Sequence, residues 1–122
     1  MTVFDASALL AFLLDEPGAD KVEALLGSGG LCSAANWSET AQRILAHERD
    51  WDLSRGLLLS YGVTVEPVTV EDAEWAAIRW AKRDGLSLGD RLCLALGERL
   101  DAEVVTADRS WGSKGRIRQI RS

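Results

Sequence analysis

Four carboxylates stand where a short chain could do chemistry: Asp5, Glu39, Asp90 and Asp108. Asp5 directly follows the apolar stretch Thr2-Val3-Phe4, and Asp108 sits just beyond a second one, Glu103-Val104-Val105-Thr106. Glu39 falls in the first turn of a helix expected after Leu31-Cys32-Ser33, and Asp90 in the first turn of a helix opened by Ser87. If the apolar stretches are parallel strands, ligands bind beyond their carboxyl ends, at the point where the strand order reverses. Helix N-termini following or facing those ends point to the same edge, so the four acids could converge. Crowded carboxylates repel and shift one another's pKa values. A hard divalent cation, which prefers oxygen ligands, relieves that repulsion. Such a site suits phosphodiester hydrolysis, because a metal makes a bound water acidic, orients it in line and stabilises the leaving oxygen. No imidazole is needed, and His47 is the only histidine.

Each acid also has a purely local role open to it. Asp5 could cap the helix that starts at Ala6. Asn36-x-x-Glu39 and Ser87-x-x-Asp90 both have capping-box spacing, and Asp108 could bond its own backbone in a turn. Thr69-x-x-Asp72 has the same spacing with no function assigned to it. What favours chemistry is that all four local roles put their acids on one expected edge.

The elements that must position these residues alternate. Strands are expected at residues 2–4, 31–33, 63–65, 103–106 and 117–120. Helices are expected at 6–16, broken by Pro17-Gly18, then at 19–26, from Asn36, at 53–61, 69–84 and 87–100. The helix opened by Asn36 carries Trp37, Ala41, Ile44 and Leu45 in one amphipathic stripe. Short apolar strands alternating with helices predict an α/β fold with a largely parallel sheet covered on both faces. One domain over residues 1–122 accounts for the whole chain, with no repeat or linker.

Composition sets the outer limits. Hydrophobic residues make up 47% and charged residues 27%, which excludes low-hydrophobicity disorder. Lys plus Arg is 14 and Asp plus Glu is 19, for a net charge of −5, which excludes a generally basic nucleic-acid binder. One histidine cannot build a two-His nuclease site or a His-rich zinc site. Cys32 and Cys93, without C-x-x-C spacing, read as two buried thiols. No basic n-region precedes an apolar stretch and no apolar run is long enough to span a bilayer, so the expected location is the cytoplasm. Charge is uneven: after Asp108 the chain is +5, through Arg109, Lys114, Arg116, Arg118 and Arg121, while residues 1–108 are 9 − 19 = −10. Such asymmetry marks either a nucleic-acid contact or a solvated edge.

Four segments carry a family resemblance: Val3-Phe4-Asp5-Ala6-Ser7-Ala8-Leu9-Leu10, Asn36-Trp37-Ser38-Glu39, Leu86-Ser87-Leu88-Gly89-Asp90-Arg91-Leu92-Cys93-Leu94-Ala95 and Val104-Val105-Thr106-Ala107-Asp108-Arg109-Ser110-Trp111. In order and spacing over essentially the whole chain they resemble PIN-domain ribonucleases, in particular the VapC toxins of bacterial toxin–antitoxin pairs. The resemblance implies a parallel sheet of about five strands with helices on both sides. It implies Mg²⁺- or Mn²⁺-dependent cleavage of RNA, with Asp5 and Asp90 as direct ligands and Glu39 and Asp108 binding directly, through water, or positioning the attacking water. Ser7 and Thr106 match hydroxyls that orient the acids by hydrogen bonds. An antitoxin partner and a homodimer are also implied. The 6–14 segment, apolar almost all round, fits a partner surface, since such a helix must be covered on every side. Arg109 and Trp111 are the expected RNA contacts, by charge and by base stacking.

Two other classes fit parts of the pattern. Receiver-type phosphoryl-transfer domains also place Asp at strand ends with Mg²⁺, but use a Lys after a later strand, where this chain has Arg109. A PIN domain kept only for binding would have lost acids, and none of the four is missing.

Overall fold

The computed structural model describes residues 1–82 and 84–121. Five parallel strands, β1 (Thr2–Phe4), β2 (Gly30–Ser33), β3 (Val63–Glu66), β4 (Glu103–Thr106) and β5 (Ile117–Gln119), form one sheet in the order β3-β2-β1-β4-β5. The order reverses between β1 and its neighbour β4. The chain leaves β1 toward β2 and β3 and returns to the other side of β1, so the carboxyl ends of β1 and β4 open a crevice between them. Asp5 and Asp108 follow those two ends.

The connections are helical: α1 (Ala6–Leu13), α2 (Ala19–Leu26), α3 (Ala34–Ala46), α4 (Trp51–Ser60), α5 (Val70–Ile78) and α6 (Leu88–Leu100), with a single 3-10 turn at Arg109–Trp111. Alternation along the strands divides the core in two. Phe4, Cys32 and Val105 pack with α1, α2 and Leu58 of α4 on one face. Val3, Leu31 and Val104 pack with Cys93 and Leu96 of α6 on the other. Both sheet faces are covered, which is why the strands read as apolar runs.

Several boundaries shift from the expectation, mostly by one or two residues, and three of the differences bear on the site or the surface. α3 starts at Ala34 and not at Asn36, because Ser33 ends β2 and caps the helix with no intervening loop; its Oγ accepts the Ala35 amide. α5 stops at Ile78, although the expected helix ran to Asp84; Ile78 and Trp80 are 79% and 62% exposed, so no burial sustains further turns. Arg83, within that expected helix, and Ser122, at the end of the expected domain, lie outside the described residues. α1 ends at Leu13 and its middle is covered by this chain itself: Ala8, Leu9, Leu10 and Ala11 are buried, and Phe12 meets Tyr61 edge-on at 5.4 Å. Phe12, Leu13 and Leu14 stay partly exposed, so the carboxyl end of this helix leaves apolar surface uncovered. No described helix is long and apolar enough to cross a membrane.

Candidate active site

Asp5 caps α1 and ties β1 to β4. Its Oδ1 accepts the Ala8 amide (2.8 Å) and the Ser7 hydroxyl (2.8 Å), and its Oδ2 accepts Thr106 Oγ1 (2.6 Å). Ser7 Oγ in turn accepts the Ala107 amide, and Thr106 Oγ1 the Asp108 amide. The two hydroxyls thus lock Asp5 and the loop after β4 into one hydrogen-bonded unit. Asp5 is only 3% exposed. Burial lifts its pKa from the ordinary 3.8 to about 6; hydrogen bonds from Thr106, Ala8 and Ser7 oppose the rise, and the nearby charge of Asp90 adds to it.

Glu39 lies in the second turn of α3. Asn36, one turn earlier on the same face, donates Nδ2–H to Glu39 Oε1 (2.7 Å) and to the Gly89 carbonyl (3.1 Å). The capping-box reading of Asn36-x-x-Glu39 is therefore wrong, because the cap is Ser33, three residues before Asn36. Asn36 is 1% exposed and its Oδ1 has no partner. A buried unsatisfied acceptor costs about 1–3 kcal/mol.

Asp90 does form the capping box expected of it: Ser87 Oγ accepts its amide, and its Oδ2 accepts the Ser87 amide (3.0 Å). Asp108 caps the 3-10 turn, with Oδ1 accepting the Ser110 amide (2.9 Å) and hydroxyl (2.7 Å). These structural duties leave Glu39 Oε2, Asp90 Oδ1 and Asp108 Oδ2 without a protein donor among the described residues. All four acids line one pocket of about 270 Å³, together with Ser7, Asn36, Gln42 and Arg43. Arg43 was not singled out from sequence and Asn36 was read only as the opener and cap of the helix, although both lie at helical spacing from Glu39, at i+4 and i−3.

None of the four acids is ion-paired among the described residues. The ion pairs are all elsewhere: Arg55 with Asp52, Arg99 with Asp72, Arg116 with Glu98 and Asp101, Arg118 with Glu103, and Arg121 with Glu16. These pairs also neutralise most of the basic C-terminal stretch, so the +5 edge read from sequence is not a free cationic surface. Arg109 is exposed and lines, with Arg121, a second hollow that shares Ser7 and Asp108 with the first. Trp111, expected to stack on bases, is 8% exposed and packs in the α6-side core, so its ring faces are not accessible. Cys32 and Cys93 are buried and free. Burial, then the charge of Asp5, holds both thiols above their ordinary pKa, so neither is a thiolate ligand.

The donor chemistry fits a hard divalent ion, since every free ligand atom is oxygen and no cation pairs with the acids. The spacing is not a closed cage: among the described residues, no three His, Cys, Asp or Glu side chains converge tightly enough to hold one ion. The fit is to an ion that keeps several waters and takes one or two carboxylates directly, as Mg²⁺ usually does.

The sequence profile of the PIN domain matches residues 2–116. No curated protein matches the sequence. Among solved structures, a toxin–antitoxin complex from Klebsiella pneumoniae is 17% identical, with a TM-score of 0.81 over 100% of this chain and 99% of that one. A sarcin-ricin-loop-cleaving VapC toxin of Mycobacterium tuberculosis is 18% identical, with a TM-score of 0.68 over 88% of each chain. A VapBC complex of Rickettsia felis bound to a promoter DNA fragment is 10% identical, with a TM-score of 0.68 over 97% of each. At these identities the likeness is one of fold. The matched profile spans β1 to β4 and all six helices, and the chain belongs to the PIN domain family.

Proposed function

We propose that this chain is a metal-dependent endoribonuclease and the toxin of a toxin–antitoxin pair. One observation carries the reading. Four acids line one pocket, are held by neutral hydroxyls, amides and a carboxamide, and pair with no cation among the described residues. Structural acids elsewhere in the same chain, such as Asp72 and Glu98, have an arginine each.

Mg²⁺ or Mn²⁺ is the cofactor of this reading, with Asp5 and Asp90 as direct ligands and Glu39 and Asp108 acting directly or through water. When bound, it supplies the charge that makes a water nucleophilic at neutral pH and stabilises the leaving oxygen. Ser7 and Thr106 fix the orientation of Asp5, so that its carboxylate needs no rearrangement to act. Glu39 and Asp108, each with one oxygen lacking a protein donor, can accept the proton of the attacking water. Arg43 on one side and Arg109 on the other offer cationic holds for the phosphates flanking the cleaved bond. Trp111 has no part in this. The named neighbours, two of them complexes with antitoxins, support an antitoxin as protein partner. Leu53 and Leu57, a turn apart on α4, with Ile78 at the end of α5 and Trp80 just beyond it, are among the exposed apolar groups available to it or to a second copy.

Purified protein is expected to cleave total bacterial RNA with Mn²⁺ and to stop in excess EDTA, with activity returning on adding Mn²⁺. Cleavage that persists in EDTA would contradict the reading. A fluorescent single-stranded RNA should bind Arg109→Gln more weakly, with the slope of log affinity against log salt reduced by about 0.7, the share of one phosphate contact to a single strand. Anisotropy titrations at several salt concentrations measure this, and an unchanged slope removes Arg109 from the substrate contact. A binding-only PIN domain is the second reading, favoured by the open spacing of the acids. Calorimetry separates the two, since that reading expects no Mn²⁺ uptake.

A further inference from the structure

We propose that Asn36 is a positioning residue that clamps Glu39 against the amino-terminal turn of α6 and so sets how the α3 and α6 acids share one divalent ion. This rests on the metal-dependent reading of the same pocket. The amide's two N–H bonds go to Glu39 Oε1 (2.7 Å) and to the carbonyl of Gly89, the residue before Asp90. One side chain thus joins an acid on α3 to the backbone that carries an acid on α6. Its orientation is fixed by chemistry, because the flipped amide would aim an oxygen at a carboxylate oxygen and a carbonyl at once. Asn36 Oδ1 is buried without a partner, so the amide is held by its two donor bonds alone.

Gly89 is the other half of the clamp. A Cβ there would lie 2.7 Å from Glu39 Oε1 and 2.9 Å from its Cδ, so the carboxylate is held between the amide of Asn36 and the bare backbone of α6. The donor is neutral. An arginine or lysine in its place would orient Glu39 equally well but would cancel the charge that attracts the ion. Asn36 thereby leaves Oε2 available and the pocket anionic.

The test is Mn²⁺ affinity by calorimetry, together with the thermal midpoint of the metal-free protein in EDTA. Asn36→Ala is expected to weaken Mn²⁺ binding about tenfold to a hundredfold, the usual effect of losing a group that orients a ligand, with the metal-free midpoint near that of the wild type. Gly89→Ala is expected to weaken Mn²⁺ binding as well, by pushing on Glu39 from the opposite side, although alanine ordinarily favours a helix. Wild-type affinity in both variants overturns the proposal. A loss confined to Asn36→Ala and accompanied by a collapse of its midpoint also overturns it, since that marks a structural role alone. A wild-type protein that binds no Mn²⁺ overturns the metal-dependent reading and this inference with it; one that binds Mn²⁺ while both variants match it leaves that reading standing.

Discussion

Asp5→Asn is expected to reduce RNA cleavage by about a thousandfold or more while leaving the fold intact. A divalent ion in a hydrolytic site supplies several kcal/mol of transition-state stabilisation, and each 1.36 kcal/mol is about tenfold in rate. Asp5 is the acid most committed to one geometry: three groups, on α1 and β4, fix both its oxygens. The substitution removes the charge but keeps the shape. Asparagine is as good an N-cap as aspartate, and the Ser7 and Thr106 hydroxyls can rotate to accept its N–H bonds. Cleavage assays with Mn²⁺ measure the loss, and circular dichroism checks the fold. Activity within tenfold of wild type would remove Asp5 from the site.

The same substitution should stabilise the metal-free protein at neutral pH, and the sign follows from burial. In the fold, Asp5 has a pKa of about 6, against an ordinary 3.8, so the folded state favours its neutral form. Its contribution is fully favourable below about pH 4 and is lost as pH rises through 6. The shift corresponds to roughly 3 kcal/mol at one pKa unit per 1.36 kcal/mol. In EDTA, urea titrations should therefore find Asp5→Asn more stable than wild type by about 1–3 kcal/mol at pH 7.5, with the gap closing toward pH 4. Comparing the two proteins at each pH cancels the acid unfolding that paired carboxylates such as Asp72 cause in both. Saturating Mn²⁺ should shrink the gap from the other side, by stabilising only the protein that binds it. A wild type as stable as the variant at pH 7.5 in EDTA would mean that Asp5 is not held against its charge.

The convergence of the four acids was legible because their positions are local facts: two follow apolar strands, and two lie within the first two turns of helices. Parallel strands and alternating helices then bring them to one edge with no further information. Ser7 and Thr106 were legible for the same reason. The misreadings are non-local. Asn36 was placed at a helix start because Ser33 reads as the end of a strand, and nothing in the local pattern says that one residue can end β2 and cap α3. Trp111 beside Arg109 reads as an exposed pair, yet the 3-10 turn buries the ring under α6 while leaving the guanidinium outside. The basic C-terminal stretch reads as free charge until the fold sets Arg116, Arg118 and Arg121 opposite Glu98, Asp101, Glu103 and Glu16. Net charge of −5 is likewise no obstacle to the proposed RNA enzyme, because four of the acids face one pocket, where a divalent cation would offset them.

Inducible expression of the wild type beside Asp5→Asn in a bacterial host, with sequencing of new RNA 5′ ends, tests the central claim most directly. New 5′ ends at a small set of RNA sites, present with the wild type and absent with Asp5→Asn at equal protein levels, are the predicted result. The same ends in both strains, or none in either while the wild-type protein is folded and abundant, would contradict it.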